Sequence, residues 1–199
     1  MSVTLSSTQK QYKSFSFPTK FPEKSSLKTM IEKFYHWEKT TPNNVFLRQP
    51  YGKTWKEYTF TEVGIQARKL AAWIRQHFPA RTHIGLVSKN HSFWMISDLA
   101  IMMADCVSVP FFPTLNAEQL SQVLTHSDCK LLLVGKLDDW NNMKGGIPSS
   151  VKTLALPDSP AKELPQWEIV LDNVAPLQEN IKPNIDDIFT IIYTSGTTG

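Results

Sequence analysis

Short apolar runs that alternate with helical stretches constrain the fold of this chain more than any other feature. Ile84-Gly85-Leu86-Val87 and Leu131-Leu132-Leu133-Val134 carry no polar side chain. Each therefore reads as a strand buried on both faces, the pattern of a parallel sheet covered by helices. Val107-Ser108-Val109 reads as a third strand and residues 151–156 as another. Between them, residues 62–77, 91–104 and 117–126 have helical spacing. In the first of these, Val63, Ala67, Leu70, Ala71, Ile74 and Phe78 share one face. Strand and helix in alternation predict an α/β fold, with a mostly parallel sheet and helices over it.

The chain ahead of this region reads differently. Leu27, Met30, Ile31, Phe34 and Trp37 predict a helix over 27–38 that ends before Thr41-Pro42. Val45-Phe46-Leu47, a turn at 50–53 and a run at 55–60 predict a hairpin. Thr59-Phe60-Thr61-Glu62 has the form of a capping box and starts the next helix. Residues 1–26 are polar with isolated aromatics (Tyr12, Phe15, Phe17, Phe21) and read as an N-terminal arm; residues 27–199 form the domain. Five prolines between 157 and 184 mark a long surface connection with one short element near 167–171.

With 199 residues the chain can bury one substantial core, roughly 70% of its unfolded surface. Hydrophobic residues at 41% and charged residues at 20% describe an ordinary globular protein. The net charge of +3 has no block or stripe of like charge behind it, so nucleic acid is not an expected partner. Cys106 and Cys129 sit in apolar segments without metal or redox spacing and read as buried free thiols. The five histidines show no i, i+4 pairing, so no metal site is expected. His91 and His126 read as capping or surface groups. Asp98, Asp105, Asp128, Asp138, Asp139, Asp186 and Asp187 read as helix caps or solvated carboxylates. The stretch 93–112 is apolar, but each Asp at mid-membrane costs about 2.5–3.5 kcal/mol, and Asp98, Asp105 and Pro110 lie within it. A buried helix followed by a strand fits better than a transmembrane span. Trp94, Met95, Met102 and Met103 are read as core, with an acyl channel as the alternative. No signal-peptide core opens the chain, and a cytoplasmic protein is expected, with peripheral attachment to a membrane left open.

Ile188-Phe189-Thr190-Ile191-Ile192 reads as a last buried strand, and Tyr193-Thr194-Ser195-Gly196-Thr197-Thr198-Gly199 follows it. Glycines let a backbone close around an anion, and hydroxyls add donors. By residue type alone, a phosphate-holding loop and a plain turn both remain open. The spacing is not that of the G-x-x-x-x-G-K-[ST] loop.

The string 193–199 resembles the phosphate-loop signature of the AMP-forming acyl-CoA synthetases, within the adenylate-forming superfamily. Asp187 before the strand fits the same pattern. The resemblance extends over residues 40–199. It includes Ile84-Gly85-Leu86-Val87-Ser88-Lys89-Asn90, Leu99-Ala100 and Val109-Pro110-Phe111-Phe112-Pro113-Thr114, and it is nearest to the long-chain fatty acid branch. One departure is Asp105, where the family usually has glycine before the strand. The resemblance implies the first part of the large AMP-binding N-terminal domain, ending inside the phosphate loop. It implies a parent enzyme, a ligase that activates a fatty acid or related carboxylic acid with Mg-ATP. Attack of the carboxylate on the α-phosphorus gives acyl-adenylate and pyrophosphate, and coenzyme A then displaces AMP. Thr194, Ser195, Gly196, Thr197, Thr198 and Gly199 are the implied ATP phosphate-binding residues. No catalytic or metal-binding residue carries over, because the loop lysine and the family's later motifs are not in this sequence, and the 199 residues alone are expected to be inactive. A non-catalytic interaction or regulatory module of the same fold, and a phosphate-loop nucleotide hydrolase, are the competing readings.

Overall fold

A computed structural model of the chain describes residues 22–194. Most of the arm, through residue 21, and the loop residues Ser195, Gly196, Thr197, Thr198 and Gly199 lie outside the described residues. The order of elements is α1 (Met30–Thr40), β1 (Val45–Tyr51), β2 (Thr54–Thr59), α2 (Phe60–His77), β3 (His83–Val87), α3 (Ser92–Met103), β4 (Val107–Phe111), α4 (Ala117–His126), β5 (Leu131–Val134), β6 (Lys152–Ala155) and α5 (Trp167–Val170). β1 and β2 form the expected antiparallel hairpin. β3 to β6 form one parallel sheet in the order β4-β3-β5-β6, as the alternation predicts.

The apolar runs occupy the centre of that sheet. β3 is hydrogen-bonded on both edges, Ile84 registering with Ser108 on β4 and with Leu131 on β5. Strand periodicity then divides one run between two cores. Leu131 and Leu133 face α1, α2 and α3, whereas Leu132 and Val134 face α4. All four are completely buried. Gly85 lies where β3 is most closely pressed. A Cβ there would stand 2.7 Å from the Phe111 ring and 3.0 Å from Leu132.

Helix ends are satisfied by side chains from the sequence itself. Thr59 and Glu62 close the expected capping box on α2. Thr29 with Glu32 on α1, and Asn116 with Gln119 on α4, form two more that the sequence reading passed over. The Thr29 cap starts α1 at Met30 rather than at residue 27, and the Thr59 cap draws Phe60 out of the hairpin into α2. The half-buried pair Glu38–Arg68 joins α1 to α2, Nη1 and Nη2 each donating to a carboxylate oxygen at 2.5 and 2.7 Å. Gly64 makes room for it: a Cβ there would overlap Glu38.

Asp105 answers the question posed by its sequence position. It follows α3 with φ +57°, its N–H donating to Met102 O and that of Cys106 to Ile101 O. This is a Schellman ending, in which glycine is the usual left-handed residue and Asp is tolerated. α4 ends the same way, with Asp128 at φ +53° and the N–H groups of Asp128 and Cys129 returning to Thr125 and Leu124. Both cysteines thus enter the core directly after a helix stop, and burial pushes each thiol up to about 11.

Two expectations are corrected. Asp98 is neither a cap nor fully solvated. It sits half-buried in mid-α3, and burial raises its carboxyl above the ordinary value. Residues 188–193 do not form a buried strand: they make one bridge, Thr190 to Ser108, with Ile188 62% and Ile192 67% exposed. The segment lies along the outer edge of β4, with no further strand beyond it among the described residues, so its apolar side chains have one neighbour instead of two.

We expect Gly85→Ala to cost about 1–3 kcal/mol, because the added methyl overpacks a two-sided core; urea unfolding measures it. Asp128→Gly should raise the thermal midpoint by relieving left-handed strain. Asp105→Gly should raise it less: the Asp105 carboxylate pairs at 3.3 Å with Arg81, which also holds Ile188, whereas that of Asp128 pairs only with the exposed Lys130 beside it.

Candidate functional site

The structure places the approach to the phosphate-loop string. The Ser108 N–H donates to Phe189 O, and the Ile191 N–H donates to Ser108 O, each at 2.9 Å. These bonds align the segment parallel to β4, so that from Thr190 onward it advances toward the carboxyl ends of the strands. In open α/β sheets that end is where ligands bind. The segment is tied at its start by Arg81, whose Nη2 donates to Ile188 O at 2.5 Å while its backbone N–H donates to Asp105 O at 2.6 Å. Asp187 belongs to a turn in which its carboxylate accepts the Asn184 N–H at 2.8 Å.

At the other end, Ile191 and Tyr193 pack against the core under α4. The Tyr193 ring lies 6.1 Å from that of Phe111, and its hydroxyl is 2.7 Å from Nδ1 of His126. Burial raises the Tyr193 phenol above its ordinary value. Thr194 is exposed at the end of the described residues. Of the six implied phosphate-binding residues it is the one described; Ser195, Gly196, Thr197, Thr198 and Gly199 lie outside. His126 is a surface group as expected, with Tyr193 as an added partner.

A second polar cluster lies beyond the carboxyl ends of β3 and β6. His91 caps α3, its Nδ1 accepting the Phe93 N–H at 3.2 Å. Its Nε2 is 3.0 Å from Asp158, and the Tyr51 hydroxyl donates to the same carboxylate oxygen at 2.6 Å. Gln49 of β1 accepts the Ser92 N–H at 2.8 Å, so two side chains close the start of α3. Because Nδ1 must keep its lone pair for Phe93, the ring proton is on Nε2, facing Asp158. Met102 and Met103 are core residues, while Met95 is at the surface. Among the described residues no three His, Cys, Asp or Glu side chains gather as a metal site would require.

The profile of the family described as AMP-binding enzyme matches residues 34–199. The chain belongs to the AMP-binding enzyme family. Long chain acyl-CoA synthetase 6, peroxisomal, of Arabidopsis thaliana is 25% identical over 206 residues, which cover 93% of this chain and 29% of that protein. Long-chain-fatty-acid–CoA ligase FadD15 of Mycobacterium tuberculosis is 27% identical over 173 residues, 83% of this chain and 29% of that one. Among solved structures, the anthranilate CoA ligase AuaEII in complex with anthranoyl-AMP superposes with a TM-score of 0.74 at 18% identity, over 89% of this chain and 35% of that one. The chain therefore spans under a third of the length of these curated relatives. Membership in the AMP-binding enzyme family sets aside the nucleotide-hydrolase reading.

Within this AMP-binding fold, Arg81 and the Tyr51–Asp158–His91 group went unread in the sequence. Their members are 40 or more positions apart, and only His91 carried a local signal. Their pH behaviour follows from the geometry. Burial, opposed by Asp158, lowers the His91 pKa below its ordinary 6.5, so the fold favours the neutral ring. The stabilisation is present above 6.5 and is lost as pH falls through that value toward the lower folded pKa. We expect the thermal midpoint to fall between about pH 7 and pH 5, where histidine titrates, and His91→Gln to flatten that fall. An unchanged slope in the variant removes His91 as its source.

Proposed function

We propose that this chain is the leading part of a ligase that activates a long-chain fatty acid with ATP and passes the acyl group to coenzyme A. Membership in the AMP-binding enzyme family supports the adenylate chemistry, and the long-chain acyl-CoA synthetases and ligases among its relatives support the substrate. The observation that carries the site is the Thr190–Ser108 bridge. It directs the segment that precedes the hydroxyl and glycine string along the edge of a parallel sheet toward its carboxyl end. In this reading Thr194, Ser195, Gly196, Thr197, Thr198 and Gly199 hold the β- and γ-phosphates by N–H and O–H donors. Such donors act where charge develops on the departing pyrophosphate. Magnesium enters this reading as the counter-ion of ATP. Residues 27–199 are the first portion of the AMP-binding domain, acting in the cytoplasm.

ATP–pyrophosphate exchange with palmitate tests the proposal. The 199 residues alone, which span under a third of their relatives, should show no exchange above background. The longest reading frame that contains them should show exchange that requires palmitate. There, Thr197→Val or Thr198→Val should lower the rate by about 10²-fold, the scale for loss of one donor in such a site. Equal rates in the variants would refute the loop assignment. Exchange with benzoate but not palmitate would refute the fatty acid.

A further inference from the structure

We infer that a small cavity beside the start of α1 is the seat of an aromatic side chain from residues 15–21 of this same chain. The inference stands apart from the proposed chemistry. The cavity measures about 210 Å³. Its apolar lining comes from Met30 and Ile31 of α1, Met102 of α3, and Ile185 and Phe189 of the segment that leads to the phosphate-loop string. Met30, Ile185 and Phe189 are 51%, 39% and 41% exposed. Large apolar side chains exposed around one hollow call for a cover.

The cavity defines the chemistry of its occupant. It is smaller than the ~300 Å³ at which ordinary ligand pockets begin, and larger than the ~150 Å³ that holds one benzene. It therefore takes a single ring. The charged groups that line it, Lys28 and Arg81 against Asp105 and Asp187, balance, so the lining favours neither an anion nor a cation. Methionine sulfur packs well at the edge of an aromatic ring, and a lysine or arginine over its face. Met30, Met102, Lys28 and Arg81 thus favour a ring over an aliphatic group of the same size.

The chain itself brings such rings to the rim. Lys24 Nζ donates to Asp186 at 2.6 Å, and Asp186 stands between two lining residues, Ile185 and Asp187. Lys28 and Thr29, a few positions on, line the cavity as well. The residues just before this anchor, 15–21, include Phe15, Phe17 and Phe21 and no acidic residue. Extended backbone spans about 10 Å from Lys24 to Phe21 and about 30 Å to Phe15, so each ring is within reach. A ring on so short a tether has an effective concentration in the millimolar range, which a dilute free aromatic does not match. Seated on Phe189, it would brace the segment whose carbonyls at Ile188 and Phe189 accept from Arg81 and Ser108. In that way it would join α1 to the approach to the candidate loop.

Nuclear magnetic resonance on the whole chain, with isotope-labelled methionine methyls, is the test. We expect the Met30 and Met102 methyls to show Overhauser contacts to a phenylalanine ring of residues 15–21. One of Phe15→Ala, Phe17→Ala and Phe21→Ala should abolish those contacts. The same variant should speed hydrogen exchange at Ile191, whose N–H donates to Ser108 O, while the amides of β5 keep their rates. Benzene should raise the thermal midpoint of that variant and leave the unaltered chain unmoved, because only the variant has an empty seat. Methyl contacts that survive in all three variants, or none in the unaltered chain, would overturn the inference. So would an equal response of both proteins to benzene. Contacts seen only between differently labelled chains in a mixed sample would seat the ring on a second copy and overturn it as well.

Discussion

Burial of β3 on both faces is the constraint on which the rest of the structure depends. A strand with helices above and below must be apolar at every position, and its neighbours must bring apolar side chains of fitting size. Gly85, with Phe111 and Leu132 pressed over it, shows how closely that fit is made. The same constraint fixes the register. A slip of one residue would carry Leu131 and Leu133 from the core under α1, α2 and α3 to the core under α4. Nothing in either layer could then remain in place.

A sheet of this kind makes the helix ends expensive to leave open, because several lie against its edges. Three capping boxes and the paired caps at His91 and Gln49 answer that demand at the amino ends. Two Schellman turns built on aspartate answer it at the carboxyl ends of α3 and α4. Asp105 has a further effect. Its carboxylate and carbonyl hold Arg81, and Arg81 holds Ile188. A helix stop is in this way connected to the segment that leads to the candidate phosphate loop. Glycine, usual for the family here, would supply the turn without the carboxylate.

Much of the fold was legible because its signals are local. The run 131–134, the capping box at Thr59 and the helical face of α2 each depend on residues within one element, and each stands where the spacing puts it. What was not legible depends on partners far apart in sequence. Asp98 is half-buried because α3 packs over β4, which no pattern within α3 discloses. The Tyr51–Asp158–His91 group joins a hairpin, a loop after β6 and a helix cap, separated by 40 and 67 positions. For the candidate site the balance is reversed. The string 193–199 is the clearest motif in the sequence, while the structure describes its approach and, within it, Tyr193 and Thr194.

That approach also shows why hydrophobicity by itself did not settle burial. Ile188-Phe189-Thr190-Ile191-Ile192 has the composition of a central strand. Central position, however, is a property of neighbours and not of the strand. Here β4 supplies one neighbour, through Ser108; of the five residues Ile191 packs against the core under α4, with Tyr193 beyond it, while Phe189 remains 41% exposed. Ile188 and Ile192 point where a further layer would lie and remain largely exposed. Large exposed apolar groups side by side are uncommon unless something covers them.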